Sequence, residues 1–329
     1  MSQFNTLFYE NLPIDPSPLV NLIDQRYLQE TIQAALAVNL FSQLRTAATA
    51  ACLASRNNWH EETVSRLLKV LQHQGCLEYT PAGYHCTPLA AAYLVPDSFF
   101  FYGDKFGEPP ESESFAAALI ACLRQEPATR TSPEPSWTPD RLRQMGVYAL
   151  SGYVQSTVRR IDLSTAASLL DLGGGHGFYS IAFAQRYPSL KVTLFDLPVI
   201  TESARQLMMD AGLAQRVSLL SGNFLQDSIG GNYDAVLCSN ILHKDKRDIV
   251  LPKVYSALNP GGALILRCRI ADCPDTLSNA LSKLYWQVYG GKDIYTADQW
   301  RSFVTPYGFT DFTLQGVDDI FATFTARRA

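Results

Sequence analysis

Apolar residues recur at three- and four-residue spacing from Leu19 to Leu53, for example Leu28, Ile32, Leu36 and Leu40, which is the period of an amphipathic helical region. Val64, Leu67, Leu68 and Leu71 form a second helical face, and Gly75 supplies its stop. The following "CLEYTPAGYHCT" reads as two short strands around the turn residues Pro81 to Gly83. Helix, stop and hairpin together predict a mostly helical winged-helix domain over residues 1–100. Pro127, Pro133, Pro135 and Pro139 mark a connector, and a helical stretch runs from Asp140 to about Arg160, so residues 101–160 are expected to be connector and helices.

From residue 161 to 329 the pattern changes. The apolar runs "SLLDL", "KVTLFDL", "VSLLSG", "YDAVLCSN" and "ALILRCRI" alternate with the helix-like "YSIAFAQRY", "TESARQLMMDAG" and "KRDIVLPKVYSAL". Such alternation predicts a parallel sheet with helices on both faces. The last segments, "DFTLQGV" and "IFATFTARR", read as a closing antiparallel hairpin. The expected fold is therefore α/β, a Rossmann-like sheet of seven strands closed by that hairpin.

Composition narrows the partners. The 329 residues are 47% hydrophobic and 18% charged, with a net charge of -4, a balance that offers no general attraction to nucleic acid or anionic lipid. The candidate recognition helix, "HEETVSRLLKVLQHQ", opens on two glutamates and carries only Arg66 and Lys69 as full cations, too few for the phosphate contacts that DNA binding rests on. The seven cysteines are scattered and form no CxxC pair, which favours reduced thiols and a cytoplasmic location. His73, Cys76, His85 and Cys86 lie close in sequence, but adjacent strand residues point to opposite faces, so no metal site is expected. No apolar run approaches the roughly 18 residues that cross a bilayer.

The candidate chemistry sits in "LLDLGGGHGFYSIAFAQRYPSLKVTLFDLP", Leu169 to Pro198. In an open parallel sheet a ligand lies beyond the carboxyl ends of the strands, where the first strand turns into its helix, and glycine there lets the backbone approach it. Asp196 ends the next strand, where a carboxylate accepts from the hydroxyls of a ribose. Gly173, Gly175 and Gly177 give G-x-G-x-G, not the G-x-G-x-x-G of a dinucleotide site, and His176 between them reads as filler. Asp171 just ahead would repel a pyrophosphate but suits an ammonium group, so the pattern points to S-adenosylmethionine. The plainer reading is a tight turn with Asp171 capping the helix.

With "DLGGGHG", "FDLP", "SGNF", "SNILHK" and "LNPGGALIL" in order behind a winged helix, the chain resembles the class I S-adenosylmethionine-dependent O-methyltransferases of the plant caffeate and bacterial secondary-metabolite type over nearly its full length. The resemblance implies a homodimer joined through the winged-helix domain. It also implies cofactor contacts from Gly173, Gly175 and Gly177 to the methionine portion and from Asp196 to the ribose. Asn223 stands where an aspartate near the adenine is usual, with Phe224 beside it to pack on the base, and Leu197 and Ser239 complete the cofactor set. His243 matches the catalytic base, which removes the proton of a phenol as it attacks a methyl group held in line.

Two departures bear on that chemistry. Lys244 follows His243 where aspartate is common, and Arg267 stands where a glutamate flanks the base, while Asp293 is a substitute for the second flanking acid. Arg267 either binds an anionic group of the substrate or is a solvated strand-end residue with its stem packed. Met145, Tyr148 and Tyr153 before the glycine loop, and Tyr285, Trp286 and Tyr289 after the fifth strand, are candidate liners of a substrate pocket expected between the domains. Together they suggest a small, flat aromatic or heteroaromatic substrate methylated at a hydroxyl. Methylation at nitrogen or carbon, a non-methylating relative that binds the same cofactor, and a DNA-binding regulator are the alternatives.

Overall fold

The computed structural model describes residues 17–107, 114–124, 138–150, 152–288 and 294–329. The chain divides into two compact units at residue 108. Among the described residues no helix is long and apolar enough to cross a membrane.

The first unit contains α1 (Ser17–Ala37), α2 (Leu40–Gln43), α3 (Ala50–Asn57), α4 (Glu61–His73), the antiparallel hairpin β1 (Leu77–Thr80) and β2 (Gly83–Cys86), and α5 (Pro88–Tyr93). The helical region expected as one from Leu19 to Leu53 is thus three helices. Asn39 breaks it in the left-handed conformation at φ 52, and Thr49 restarts it by accepting the backbone N–H of Cys52 at the head of α3. Between them Ala48 exchanges both backbone hydrogen bonds with Tyr84 of β2, each 2.9 Å, and so adds a third extended segment to the hairpin. Val64, Leu68 and Leu71 of α4 are buried with Leu40, Phe41, Leu53 and Leu77 in one apolar cluster.

The second unit begins with α6 (Phe115–Leu123), α7 (Pro139–Leu150) and α8 (Tyr153–Arg160). The expected single helix from Asp140 to Arg160 is interrupted at Gly152, whose φ of 123 no helix accommodates. There follow β3 (Ser168–Leu172), α9 (Phe178–Arg186), β4 (Lys191–Asp196), α10 (Pro198–Asp210), β5 (Val217–Ser221), β6 (Tyr233–Ser239), α11 (Arg247–Ala257) and β7 (Leu258–Arg269). After α12 (Leu277–Val288) and α13 (Ala297–Val304) the chain ends in β8 (Phe309–Asp318) and β9 (Phe321–Arg328).

The strand order is β5-β4-β3-β6-β7-β9-β8. The first five are parallel and β9 runs antiparallel to both β7 and β8, the closing hairpin that the sequence predicts. Strands covered on both faces need apolar residues at successive positions, which is why "SLLDL" and "ALILRCRI" do not alternate. Leu169, Leu170 and Leu172 are fully buried, as are Leu264, Ile265 and Leu266. Because β4 and β5 extend to one side of β3 and β6 and β7 to the other, a crevice opens beyond the carboxyl ends of β3 and β6.

Helix α8 is fastened to the hairpin edge. Ser156 Oγ and Arg160 Nη1 both donate to Asp318 Oδ2, each at 2.5 Å, while Tyr153, Val154, Thr157 and Val158 turn inward. In β9, Phe324 is 1% exposed and stacks on Phe312 with ring centroids 4.8 Å apart. Truncation Phe324→Ala is expected to destabilise the protein by about 3–5 kcal/mol, read as a lower urea midpoint at unchanged m-value.

Candidate functional site

The loop from β3 to α9 is held by its neighbour strand. The amides of Gly173 and Gly174 donate to the Phe195 carbonyl at 2.8 and 3.2 Å, and the amide of Gly175 donates to Asp196 Oδ2 at 2.8 Å. Gly173, Gly175 and Gly177 all have positive φ, 66, 53 and 75. A Cβ on Gly173 would also lie 2.8 Å from Ile241 Cγ2, and one on Gly177 2.6 Å from Met208 Cε. Conformation therefore favours glycine at all three positions, with crowding added at Gly173 and Gly177, and the loop presents bare backbone.

Asp171 is 1% exposed and accepts from Ser180 Oγ at 2.7 Å. Ser180 lies in the first turn of α9, so this carboxylate is set at the positive end of a helix. Burial pushes its pKa up to about 6 and the nearby Asp196 charge adds to that, against the pull of the Ser180 side chain and backbone N–H. The N-cap position itself is Gly177, so Asp171 meets the helix start through the Ser180 hydroxyl and is not its capping residue.

Asp196, 7% exposed at the end of β4, accepts Gly175 N–H on Oδ2 and Leu197 N–H, 2.7 Å away, on Oδ1. Burial raises its pKa and those two amides oppose the rise. Each oxygen keeps a second lone pair for a hydroxyl. Beyond β5, the side-chain oxygen of Asn223 accepts from Leu225 N–H at 3.0 Å and its backbone N–H donates to Asp227 Oδ2 at 2.7 Å. The Phe224 ring and Ile241 both border Gly173, so these two apolar groups flank the loop. Ile241 escapes sequence inspection because only folding brings the segment after β6 against the first glycine.

His243 lies half-buried between β6 and α11, and its carbonyl accepts the amides of Lys246 and Arg247 at 2.9 Å each. Ser239, at the end of β6, pairs in register with Arg267 of β7. Arg267 is 4% exposed, with its Cζ 4.1 Å from the ring centroid of Phe321 and 5.0 Å from that of Tyr153. The sequence alternative of a solvated strand-end arginine is thereby corrected, since both neighbouring strands and α8 enclose it. Its Nε and Nη2 make no hydrogen bond among the described residues.

Three of the expected aromatic liners collect around that arginine and the next. The Tyr148 and Tyr153 hydroxyls are 3.2 Å apart, and Tyr153 donates to Asp319 Oδ2 at 2.8 Å. Trp286 carries the Arg269 guanidinium 3.5 Å from its ring centroid. Tyr285 is elsewhere occupied, stacked on Phe115 with centroids 6.1 Å apart, and Met145 is exposed. Tyr289 and Asp293 lie outside the described residues.

Sequence reasoning passed over Phe321 and Tyr179 and set His176 aside as filler. Phe321 belongs to the closing hairpin, and nothing local marks it. Tyr179 stands two residues after Gly177, in the first turn of α9, where it is buried. The His176 ring lies 5.9 Å from that of Tyr179, its Nδ1 accepts Phe178 N–H at 3.1 Å, and burial first and Arg267 second drive its pKa down to about 4.

A family model described as the O-methyltransferase domain matches residues 148–310. Over 274 residues, 78% of either chain, the sequence is 27% identical to the 3-hydroxy-5-methyl-1-naphthoate 3-O-methyltransferase of Streptomyces sahachiroi. It is 24% identical to the N,N-dimethyltransferase OxyT of Streptomyces rimosus across 92% of this chain and 93% of that one. The structure of human N-acetylserotonin methyltransferase in complex with SAM shares the fold, with a TM-score of 0.72 at 19% identity over 100% of both chains.

The buried Asp171 yields a pH signature. A carboxyl with a folded pKa of about 6, above the unfolded value of about 3.9, keeps its proton longer in the native state, so stability falls as pH rises between those values and levels off above them. Replacement Asp171→Asn, which keeps an acceptor for Ser180, should flatten that decline by roughly 1–3 kcal/mol when urea midpoints are compared across the window.

Proposed function

Because the chain belongs to the family of S-adenosylmethionine-dependent O-methyltransferases, we propose that it methylates a hydroxyl of a small aromatic molecule with His243 as general base. The observation that carries this reading is the glycine loop pinned by Asp196 at the sheet's switch point, with His243 in the segment just beyond β6. The residues fit the cofactor. The three positive-φ glycines keep the loop as bare backbone, Asp196 keeps lone pairs for ribose hydroxyls, and Phe224 with Ile241 offers apolar sides for an adenine. Asn223 keeps its side-chain amide for the base, since only its oxygen is engaged by Leu225.

When bound, S-adenosylmethionine supplies an electrophilic methyl group on a sulfonium centre. The buried Asp171 and Asp196 give the loop a negative field suited to that cation and to an ammonium group. His243 takes the proton of the acceptor hydroxyl, whose pKa near 10 keeps it mostly protonated at neutral pH. Tyr148, Tyr153 and Trp286 supply flat apolar surface for the acceptor ring. Methylation at nitrogen is the second reading, favoured by the N,N-dimethyltransferase relative that aligns across most of both chains.

The first unit serves as a winged helix through which two copies join. Its hairpin with the added Ala48 segment supports the first statement, and the exposed Leu19, Leu22, Ile23 and Tyr27 of α1 support the second.

Methyl transfer from labelled cofactor to a panel of phenols, anilines and nitrogen heterocycles tests the reading. Label in a phenol ether is the expected outcome, and label only on nitrogen replaces it with the second reading. Substitution His243→Ala should lower hydroxyl methylation by about 10²–10⁴-fold while leaving titrated affinity for S-adenosylhomocysteine nearly intact. Undiminished turnover removes His243 from the role of base.

A further inference from the structure

A guanidinium can leave water at tolerable cost only where an anion or a full set of acceptors meets it. Arg267 has neither among the described residues. It is 4% exposed, its backbone is fixed between Ser239 of β6 and Thr323 of β9, and its Nε and Nη2 are orphaned. The rings of Tyr153 and Phe321 face the cation without supplying an acceptor.

A second buried donor lies in the same part of the fold. Tyr179 is 4% exposed, and its hydroxyl has no partner in good hydrogen-bond geometry, although the Thr157 and Ser239 hydroxyls lie near enough to oppose the rise that burial gives its pKa. The His176 and Tyr179 rings are 5.9 Å apart, and Tyr179 lies beside Ser239, the register partner of Arg267, so the three groups share one neighbourhood, in which Arg267 also acts electrostatically on the other two. With Nδ1 of His176 accepting from Phe178, its neutral ring carries the proton on Nε2. The acids nearby are committed, Asp319 to Tyr153, Asp318 to Arg160 and Ser156, and Asp171 to Ser180.

We propose that Arg267, Tyr179 and His176 form a carboxylate-binding subsite, and that the acceptor substrate is an aromatic acid whose ring lies along Tyr153 and Phe321. The proposal rests on the methyltransferase reading and narrows its substrate class. A planar guanidinium with two free N–H directions matches a carboxylate fork, and the phenolic hydroxyl adds a third donor. Flanking rings favour a flat aromatic body next to the anionic group. A carboxylate could also come from the cofactor's own methionine tail, and the experiment separates the two sources.

Affinities of salicylate, a hydroxycinnamate and anthranilate, each against its carboxamide, are measured by titration into protein saturated with S-adenosylhomocysteine. No turnover is required. The acids are expected to bind at least ~10-fold more tightly than their amides, the worth of a charge-assisted hydrogen-bonded pair. Arg267→Met should abolish that preference and Tyr179→Phe should reduce it about 3- to 10-fold, with S-adenosylhomocysteine affinity changed little in both. The Tyr179 variant removes only a hydroxyl, so it tests the subsite even where the Arg267 variant folds poorly. The absence of an acid preference in every pair overturns the proposal. So does an Arg267→Met protein whose preference persists, or whose lost affinity is for S-adenosylhomocysteine, the signature of the cofactor's carboxylate. Failure of the wild type to bind S-adenosylhomocysteine sinks the methyltransferase reading instead.

Discussion

The Asp196 carboxylate, bonded at once to the amide of Gly175 and the amide of Leu197, is the contact around which this site is organised. It ties the loop after β3 to the end of β4. Together with the Phe195 carbonyl, which takes the amides of Gly173 and Gly174, it holds the glycine run by its backbone and needs no side chain to do so. The loop can then remain bare where a ligand must come close. The start of α9 is fixed by the same anchoring, and with it Ser180 over Asp171, and Tyr179 with His176 beside it.

Electrostatics give the site two ends. Burial raises the cost of ionising both carboxylates under the loop, the Asp196 charge adds to it at Asp171, and a nearby cation would relieve it. Two strands away, the enclosed guanidinium of Arg267 creates the opposite demand. The proposed pairing of a cationic methyl donor with an anionic acceptor would meet both demands, each ligand drawn to the end whose field opposes its charge. His176, neutral at pH 7, adds no competing charge.

Much of this was legible along the chain, for identifiable reasons. Buried parallel strands must be apolar at every position, so "SLLDL" and "ALILRCRI" announce themselves, and the alternate glycines are dictated by local backbone geometry that no other residue meets. What escaped inspection depends on long-range placement or on single breaks in a persistent pattern. Apolar spacing runs unbroken across Asn39 and Gly152, although one left-handed residue at either site splits a helix in two. Ile241, Tyr179 and Phe321 join the site from a loop, a helix start and a closing hairpin, each with an apolar or aromatic character common to core residues. Trp286 and Tyr285 sit next to one another in α12, and only tertiary contact sends the first to Arg269 and the second to Phe115.

Arg267 shows how magnitude decides between two readings that the sequence left level. As a solvated strand-end residue it would cost nothing. Enclosed as it is, the effective penalty for taking a guanidinium out of water is several kcal/mol. Its cation–π contacts with Phe321 and Tyr153 return about 2 kcal/mol or more, which offsets part of that penalty and leaves the N–H groups themselves without an acceptor. An apolar residue in the same slot of β7 would pack against those rings without the deficit, so stability alone gives no reason for the charge. The described chain provides no acceptor for Nε and Nη2, and it is this imbalance that the proposed carboxylate would turn into affinity and selectivity.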